Sequence, residues 1–193
     1  SPPEELSRPI LRASLPEVQI EASGPITPVI DGEVTSYFEW MGAGLYQVDG
    51  RGGSMHGKRF LIKEVQYGSD GDNFYLRVDF HPGYEAELNG MEARITVESP
   101  DGQRTSRARL VFVGGGATVK EFAGLVTGPP VQPFECAFAR VLEVRLLLAA
   151  LGQPKGSGVR FQFSLWQGGL PMDAVPQQGW IAMKTTDPAK IGE

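Results

Sequence analysis

The stretch VRFQFSLW, from Val159 to Trp166, alternates strictly between two sets of side chains. One set is apolar and consists of Val159, Phe161, Phe163 and Leu165, and the other consists of Arg160, Gln162, Ser164 and Trp166. Successive side chains of a β-strand point to opposite faces, so this period of two predicts a strand. One face of the strand should be buried, and the other should lie at the surface.

Two further segments repeat the pattern, FYLRVDF at residues 74–80 and EARITVES at residues 92–99. Weaker strand candidates are VQIEA, EVTSYFEW, FLIKEVQY, RARLVFV and GWIAMKT. The strands are separated by glycine-containing turn sequences such as GSDGDN after Tyr67 and SPDGQ after Glu98. Half-buried strands joined by such turns predict an all-β fold, a two-sheet antiparallel β-sandwich.

Composition excludes several classes of function. The chain has 193 residues, with 18 basic and 23 acidic side chains and a formal net charge of -5, whereas nucleic acids and anionic membranes attract basic surfaces. A single cysteine, Cys136, excludes an intrachain disulfide and a cysteine-based zinc site. Two histidines, His56 and His81, are too few for a histidine-rich metal site. Neither a nucleic acid nor a membrane is therefore expected as a partner.

The chain divides into three parts. Residues 1–17 contain four prolines and predict a linker or an irregular arm, residues 18–186 a single β-sandwich domain, and residues 187–193 a C-terminal tail. Position 1 is Ser rather than Met, which indicates a fragment or a processed chain. No apolar run is long enough to span a membrane and no signal peptide is visible, so we expect a soluble protein. The compartment stays open, with the cytoplasm favoured over export.

Residues 140–151, RVLEVRLLLAAL, permit two interpretations. Good helix formers followed by Gly152 favour a helix that ends at this glycine. A period of two instead places Leu142, Val144 and Leu146 on one face, as in a strand. Local sequence alone leaves helix and strand open.

The segment PVIDGEVTSYFEWMGAGLY, residues 28–46, resembles the start of the C-terminal β domain of the larger family 57 glycoside hydrolases, which are α-amylase/α-mannosidase-like enzymes. Further matching blocks are SMHG at residues 54–57, Tyr67-Gly68, and FQFSLWQGGLPMDAVPQQGWI at residues 161–181. That family domain is similar to the DOMON-like, family-9-type carbohydrate-binding sandwiches, which are immunoglobulin- or jelly-roll-like in architecture.

The resemblance has three implications. It implies a strand from Phe134 to Leu146 and a turn at residues 147–152, which we prefer to the helix. It implies a non-catalytic accessory domain, because the family's catalytic residues lie in an N-terminal barrel that these residues do not include. It also implies two partners, an α-glucan and the catalytic barrel of the parent chain. No enzyme activity is expected of this chain.

Sugar-binding modules stack aromatic rings on pyranose rings and bind hydroxyl groups through amides and carboxylates. Trp166 follows polar residues on its strand, so its ring should lie near the surface, whereas apolar neighbours on both sides favour the core for Trp40. A carboxylate within an aromatic run, Glu39, is expected to be paired with an arginine or bound to a ligand. The candidate carbohydrate-binding residues are Trp166, Trp180, Tyr46, Trp40 and Glu39.

The loop GSDGDN offers oxygen ligands at Asp70, Asp72 and Asn73, close enough in sequence for a weak Ca²⁺ candidate. It lacks the length and the distal Glu of an EF-hand loop, so a hairpin turn is favoured and no other cofactor is expected.

Three hypotheses follow, in order of preference. The first is an accessory domain that binds or positions α-glucan by aromatic stacking. The second is a structural domain that packs on the catalytic barrel and binds no sugar. The third is a stand-alone enzyme, which ranks last because the sequence shows no acid/base constellation.

Overall fold

The computed structural model of the protein describes residues 17–34, 36–48, 60–125 and 132–185. The arm predicted for residues 1–17 lies outside these ranges, except that Glu17 begins the first strand. The SMHG block at residues 54–57 and the tail predicted for residues 187–193 also lie outside the described residues. No helix among the described residues is long and apolar enough to cross a membrane.

Two antiparallel sheets face each other, which confirms the predicted all-β sandwich. In spatial order, the first sheet consists of β1 (Glu17–Ile20), β2 (Gly44–Val48), β3 (Ile62–Ser69), β4 (Asn73–Phe80), β9 (Leu142–Leu147) and β8 (Phe134–Phe138). The second consists of β11 (Leu170–Val175), β10 (Val159–Gln167), β5 (Glu92–Glu98), β6 (Thr105–Val113) and β7 (Gly116–Ala123), with β12 (Ile181–Met183) also paired to β10. A short helix, α1 (Glu85–Leu88), precedes β5.

The core between the sheets follows the alternation seen in the sequence. Along β10 the apolar side chains are buried and the polar ones are partly exposed, and β5 shows the same alternation over most of its length. Phe161 of β10 packs its ring 5.2 Å from that of Tyr67 and 5.1 Å from that of Phe74, both in the opposite sheet. Burial of such large apolar side chains is the main force that holds the two sheets together.

Residues 21–34 and 36–43, here called the cover segment, lie on the outer face of the first sheet. Its Ile26 and Trp40 form a second, smaller apolar cluster with Tyr75, a β4 residue that points away from the main core. The Ile26 amide donates to the Ser69 carbonyl, and the Gly32 carbonyl accepts from two amides of the β8–β9 turn. The first sheet is therefore buried on both faces where the cover segment crosses it.

One predicted strand, EVTSYFEW, is wrong, because Tyr37–Trp40 form a 3₁₀ helix. The hydroxyl of Ser36 caps this helix by accepting a hydrogen bond from the Phe38 amide at 3.1 Å. The turn places Trp40 in the second apolar cluster, where its side chain is buried. Burial of one aromatic side chain against the sheet outweighs the local β propensity of the segment.

The strand interpretation of residues 142–147 is confirmed, and a helix over residues 140–151 is wrong. Leu142, Val144 and Leu146 face the core, as the period of two predicted. The single strand implied for Phe134 to Leu146 is divided into β8 and β9 by a turn at residues 139–141. After β9, a 3₁₀ helix covers Leu148–Leu151 and ends at Gly152, whose φ of 68° is left-handed.

Candidate functional site

The outer face of the second sheet presents two tryptophans, each against an arginine that is paired with a glutamate. The guanidinium of Arg160 lies 4.8 Å from the centre of the Trp180 ring, and its Nε donates to Glu98 at 2.6 Å. The guanidinium of Arg94 lies 4.0 Å from the centre of the Trp166 ring and is paired with Glu92. Each contact combines a cation–π interaction with an ion pair.

The strand register explains both arrangements. Arg160 of β10 lies directly opposite Glu98 of β5, and directly opposed residues of antiparallel strands have neighbouring side chains. Arg94 and Glu92 are two apart on β5 and so share one face. Trp180 precedes β12 and points to the same side as Ala182, which faces Arg160 across the β10–β12 ladder.

A cavity of about 490 Å³ opens beside Trp180, and we call it the Trp180 cavity. Both sheets contribute to its walls: Glu21 and Tyr67 belong to the side of the first sheet, and Arg160 and Met183 to the second. Its lining combines one tryptophan and several aliphatic groups with a few charged and hydroxyl groups. This is the usual make-up of a site that binds a small organic molecule.

The polar groups of the Trp180 cavity are held in place. Arg160 is fixed by Glu98, and the Tyr67 hydroxyl donates to the Ile20 carbonyl at 3.4 Å. Burial raises the pKa of the Tyr67 hydroxyl and the Glu21 carboxylate adds to this increase, whereas a hydrogen bond with Gln19 opposes it. Tyr67 therefore remains protonated at neutral pH.

The turn before β6 packs closely against the Arg160–Glu98 pair. A Cβ atom added to Gly102 would lie 2.8 Å from the Arg160 guanidinium, and its φ of +75° also favours glycine. Gly102 thus allows the guanidinium to lie flat beside the turn, in reach of both Glu98 and Trp180.

The five predicted carbohydrate-binding residues are dispersed over the fold. Trp166 is partly exposed, as expected, but Arg94 covers one face of its indole and it does not line the Trp180 cavity. Trp180 is partly exposed and lines the cavity.

Two of the five are buried and offer no ring face to a sugar, so the structure corrects their assignment. Tyr46 lies in the main core and Trp40 in the second cluster, each 5% exposed. The core position of Trp40 matches the preference stated from its apolar neighbours. Glu39 lies on the cover segment, does not line the Trp180 cavity, and accepts a hydrogen bond from the Val29 amide at 3.2 Å.

The candidate calcium loop forms the turn between β3 and β4, as favoured from the sequence. The two oxygens of Asp70 accept hydrogen bonds from the amides of Asp72 and Asn73, the side chain of Asn73 and the hydroxyl of Tyr75. Asp72 pairs with Lys155 at 3.0 Å, and the side-chain oxygen Oδ1 of Asn73 accepts a hydrogen bond from Arg145 at 2.9 Å. Within the described residues no group of three or more His, Cys, Asp or Glu side chains is placed to hold a metal ion.

Two sets of polar residues were not predicted from the sequence. Arg160 and Glu98 were on predicted strands, but their pairing depends on a register between segments about 60 residues apart. A period of two over residues 142–146 places Glu143 on the face opposite the apolar side chains, where an exposed residue is expected, yet Glu143 is fully buried beneath the cover segment. No family model, no curated protein and no solved structure matches this chain.

Proposed function

We propose that this domain is a non-catalytic accessory domain that binds α-glucan in the Trp180 cavity. A single observation carries the proposal: a partly exposed tryptophan lines a cavity next to an arginine that a buried glutamate holds in position. Three parts of the proposal rest on the sequence resemblance alone: the α-glucan ligand, the parent glycoside hydrolase of family 57 and the DOMON-like relationship.

The chemistry of the cavity suits a neutral, polyhydroxylated ligand. The apolar face of a pyranose ring can stack on the indole of Trp180, while its hydroxyl groups bond to Arg160, Glu21 and the Ser157 hydroxyl. Since the charge of Arg160 is already balanced by Glu98, an anionic ligand has less to gain there than a neutral one.

Catalysis is not part of the proposal. Glycosidases place two carboxyl groups on either side of the scissile bond, about 5 to 10 Å apart. Among the described residues that line the Trp180 cavity, Glu21 is the one carboxylate. Glu98 is engaged with Arg160 and does not line the cavity.

Affinity electrophoresis tests the proposal most directly. The chain is run through native gels that contain starch, glycogen, pullulan or no polysaccharide. We expect retardation in at least one α-glucan gel, and we expect Trp180→Ala to abolish it because the stacking surface is lost.

Trp166→Ala is the matched control, because Trp166 is the same residue type, also stacked on an ion-paired arginine, but outside the cavity. It should leave the retardation unchanged. Unaltered mobility of the native chain in every gel would overturn the proposal. If Trp166→Ala abolished the retardation and Trp180→Ala did not, the binding site would be assigned to the outer face of the second sheet, around Trp166.

A different surface favours a second candidate, a structural domain that packs on the catalytic barrel. Four apolar side chains of the cover segment are exposed: Val29, Val34, Phe38 and Met41. This is the segment that resembles the start of the family domain, next to the barrel. Contact with the barrel would remove these side chains from water, which is favourable in proportion to the apolar area buried.

A further inference from the structure

The Trp180 cavity has two neighbours at the same end of the sandwich. A cavity of about 290 Å³, the middle cavity, is lined by residues that include Asp101, Arg104 and Gln153. A cavity of about 440 Å³, the Leu148 cavity, is lined by residues that include Asp72, Leu148 and Lys155. Together the three are larger than about 1,000 Å³, the upper end for pockets that hold one drug-sized molecule.

The three cavities share walls. The Trp180 cavity and the middle cavity are both lined by Pro100 and Ser157, and the middle and Leu148 cavities by Gln153 and Pro154. The loop of residues 153–158 contributes to all three. The cavities therefore form a row along this loop.

The loop is fixed at both ends, so the row exists before any ligand arrives. The Gln153 side-chain amide donates to the Gly158 carbonyl, and the Ser157 hydroxyl donates to the Pro154 carbonyl, each at 2.6 Å. The Gly158 amide donates to the Thr185 hydroxyl at 3.2 Å. Lys155 is paired with Asp72 in the turn between β3 and β4. A preformed surface lowers the entropic cost of binding an extended ligand.

We propose that the row binds a chain of several sugar units, with one part in the Trp180 cavity and the rest across the middle and Leu148 cavities. This inference rests on the proposed function and narrows its ligand class to linear α-glucan oligomers. The lining changes along the row, from an aromatic wall at Trp180 to polar groups at Asp101 and Arg104 and to aliphatic groups at Leu148. A single sugar unit would leave most of this surface in contact with water.

The test measures how the affinity depends on chain length, by calorimetric titration with maltose, maltotriose and maltoheptaose. We expect the affinity to rise at least about tenfold from maltose to maltoheptaose, since the longer chain contacts additional cavities. A longer chain also offers more registers on one cavity, so the rise alone is ambiguous and needs two variants.

Two exposed alanines allow the same substitution at the two ends of the row. Ala149 lines the Leu148 cavity and Ala182 lines the Trp180 cavity. Ala149→Leu fills part of the Leu148 cavity without adding an aromatic surface, so it should remove the gain for maltoheptaose and leave the affinity for maltose unchanged. Ala182→Leu should lower the affinity for all three sugars. Thermal unfolding of both variants verifies that each is folded.

The outcomes separate the two proposals. Two results would overturn the proposal that the ligand extends along the row: equal affinity of the native chain for maltose and maltoheptaose, or a gain with chain length that survives Ala149→Leu. Either result leaves binding in the Trp180 cavity intact. Absence of binding to all three sugars overturns both.

Discussion

Glu143 is a fully buried carboxylate that joins the cover segment to the first sheet. One of its oxygens accepts from the amides of Asp31 and Gly32, at 3.1 and 2.7 Å, and the other accepts from the indole Nε1 of Trp40 at 3.0 Å. Burial raises the pKa of this carboxyl, and a hydrogen bond with the Asp31 side chain raises it further, whereas the three N–H donors oppose the increase.

The sign of the pH dependence follows from this raised pKa. Above the ordinary value of 4.5, the folded protein holds the Glu143 proton more tightly than the unfolded chain does. The contribution of Glu143 to stability is therefore largest at low pH and decreases as the pH rises through the folded-state pKa.

Glu143→Gln should flatten this decrease and lower the free energy of unfolding. One amide oxygen cannot accept from all three donors, so we expect a loss of about 1–3 kcal/mol. Urea unfolding from about pH 5 to about pH 7 measures both effects. Glu135→Gln, an exposed glutamate on β8, is the control and should change neither. If the pH dependence of Glu143→Gln equals that of the native chain, Glu143 titrates normally and this account is wrong.

At the scale of elements, the β3–β4 hairpin depends on Asp70. Burial would raise the pKa of Asp70, but hydrogen bonds from Tyr75, Asn73 and Asp72 outweigh it and lower the pKa below the ordinary value of 3.8. Asp70 therefore stabilises the fold above pH 3.8, and this contribution is lost as the pH falls through the lowered pKa.

We expect Asp70→Ala to lower the free energy of unfolding at neutral pH by about 1–3 kcal/mol, because four donors in the turn lose their acceptor. Asp72→Ala should cost much less, since Asp72 makes an exposed ion pair with Lys155. The unfolding temperature, measured with added calcium and with a chelator, distinguishes a simple β3–β4 turn from a metal site. A gain in stability with calcium that disappears in Asp70→Ala would show that the loop binds the ion.

The strands that the sequence predicted well are those with one face in the core and the other face at the surface. Phe161 and Phe163 alternate with polar residues in a strand that has one buried face, so a period of two describes it fully. Tyr75 lies on the face of β4 expected to be polar, yet it is 5% exposed because Ile26 and Trp40 lie over it. The residues next to Tyr75 in sequence do not predict that it is covered, because the cover segment begins about 50 residues earlier.

At the scale of the whole molecule, the same limit applies to the candidate site. The tryptophans were identified as candidates from residue type alone. The cavity was not predicted, because its walls come from residues 21–22, 67, 100, 157–160, 180 and 182–184, which only the register of both sheets brings together.

The exposed apolar side chains of the cover segment predict weak self-association of the chain. Phe38 is 71% exposed and Met41 is 53% exposed, and such surface tends to associate in water. We expect sedimentation velocity to show a concentration-dependent oligomer that Phe38→Ser weakens. Leu170→Ser, an equally exposed apolar residue on β11 of the other sheet, is the control and should have little effect. A monomer at every concentration would count against the packing hypothesis.

The Trp180 cavity joins the two extremes of the described chain, since Glu21 follows the first strand and Lys184 follows the last. During synthesis the site cannot exist until the final strand has left the ribosome and paired with β10. Under the proposed function, a truncation before β12 is therefore expected to abolish binding even where most of both sheets has formed. If the proposed function is right, a sugar that contacts both ends of the described chain stabilises the folded state, since it binds the folded chain and not the unfolded one.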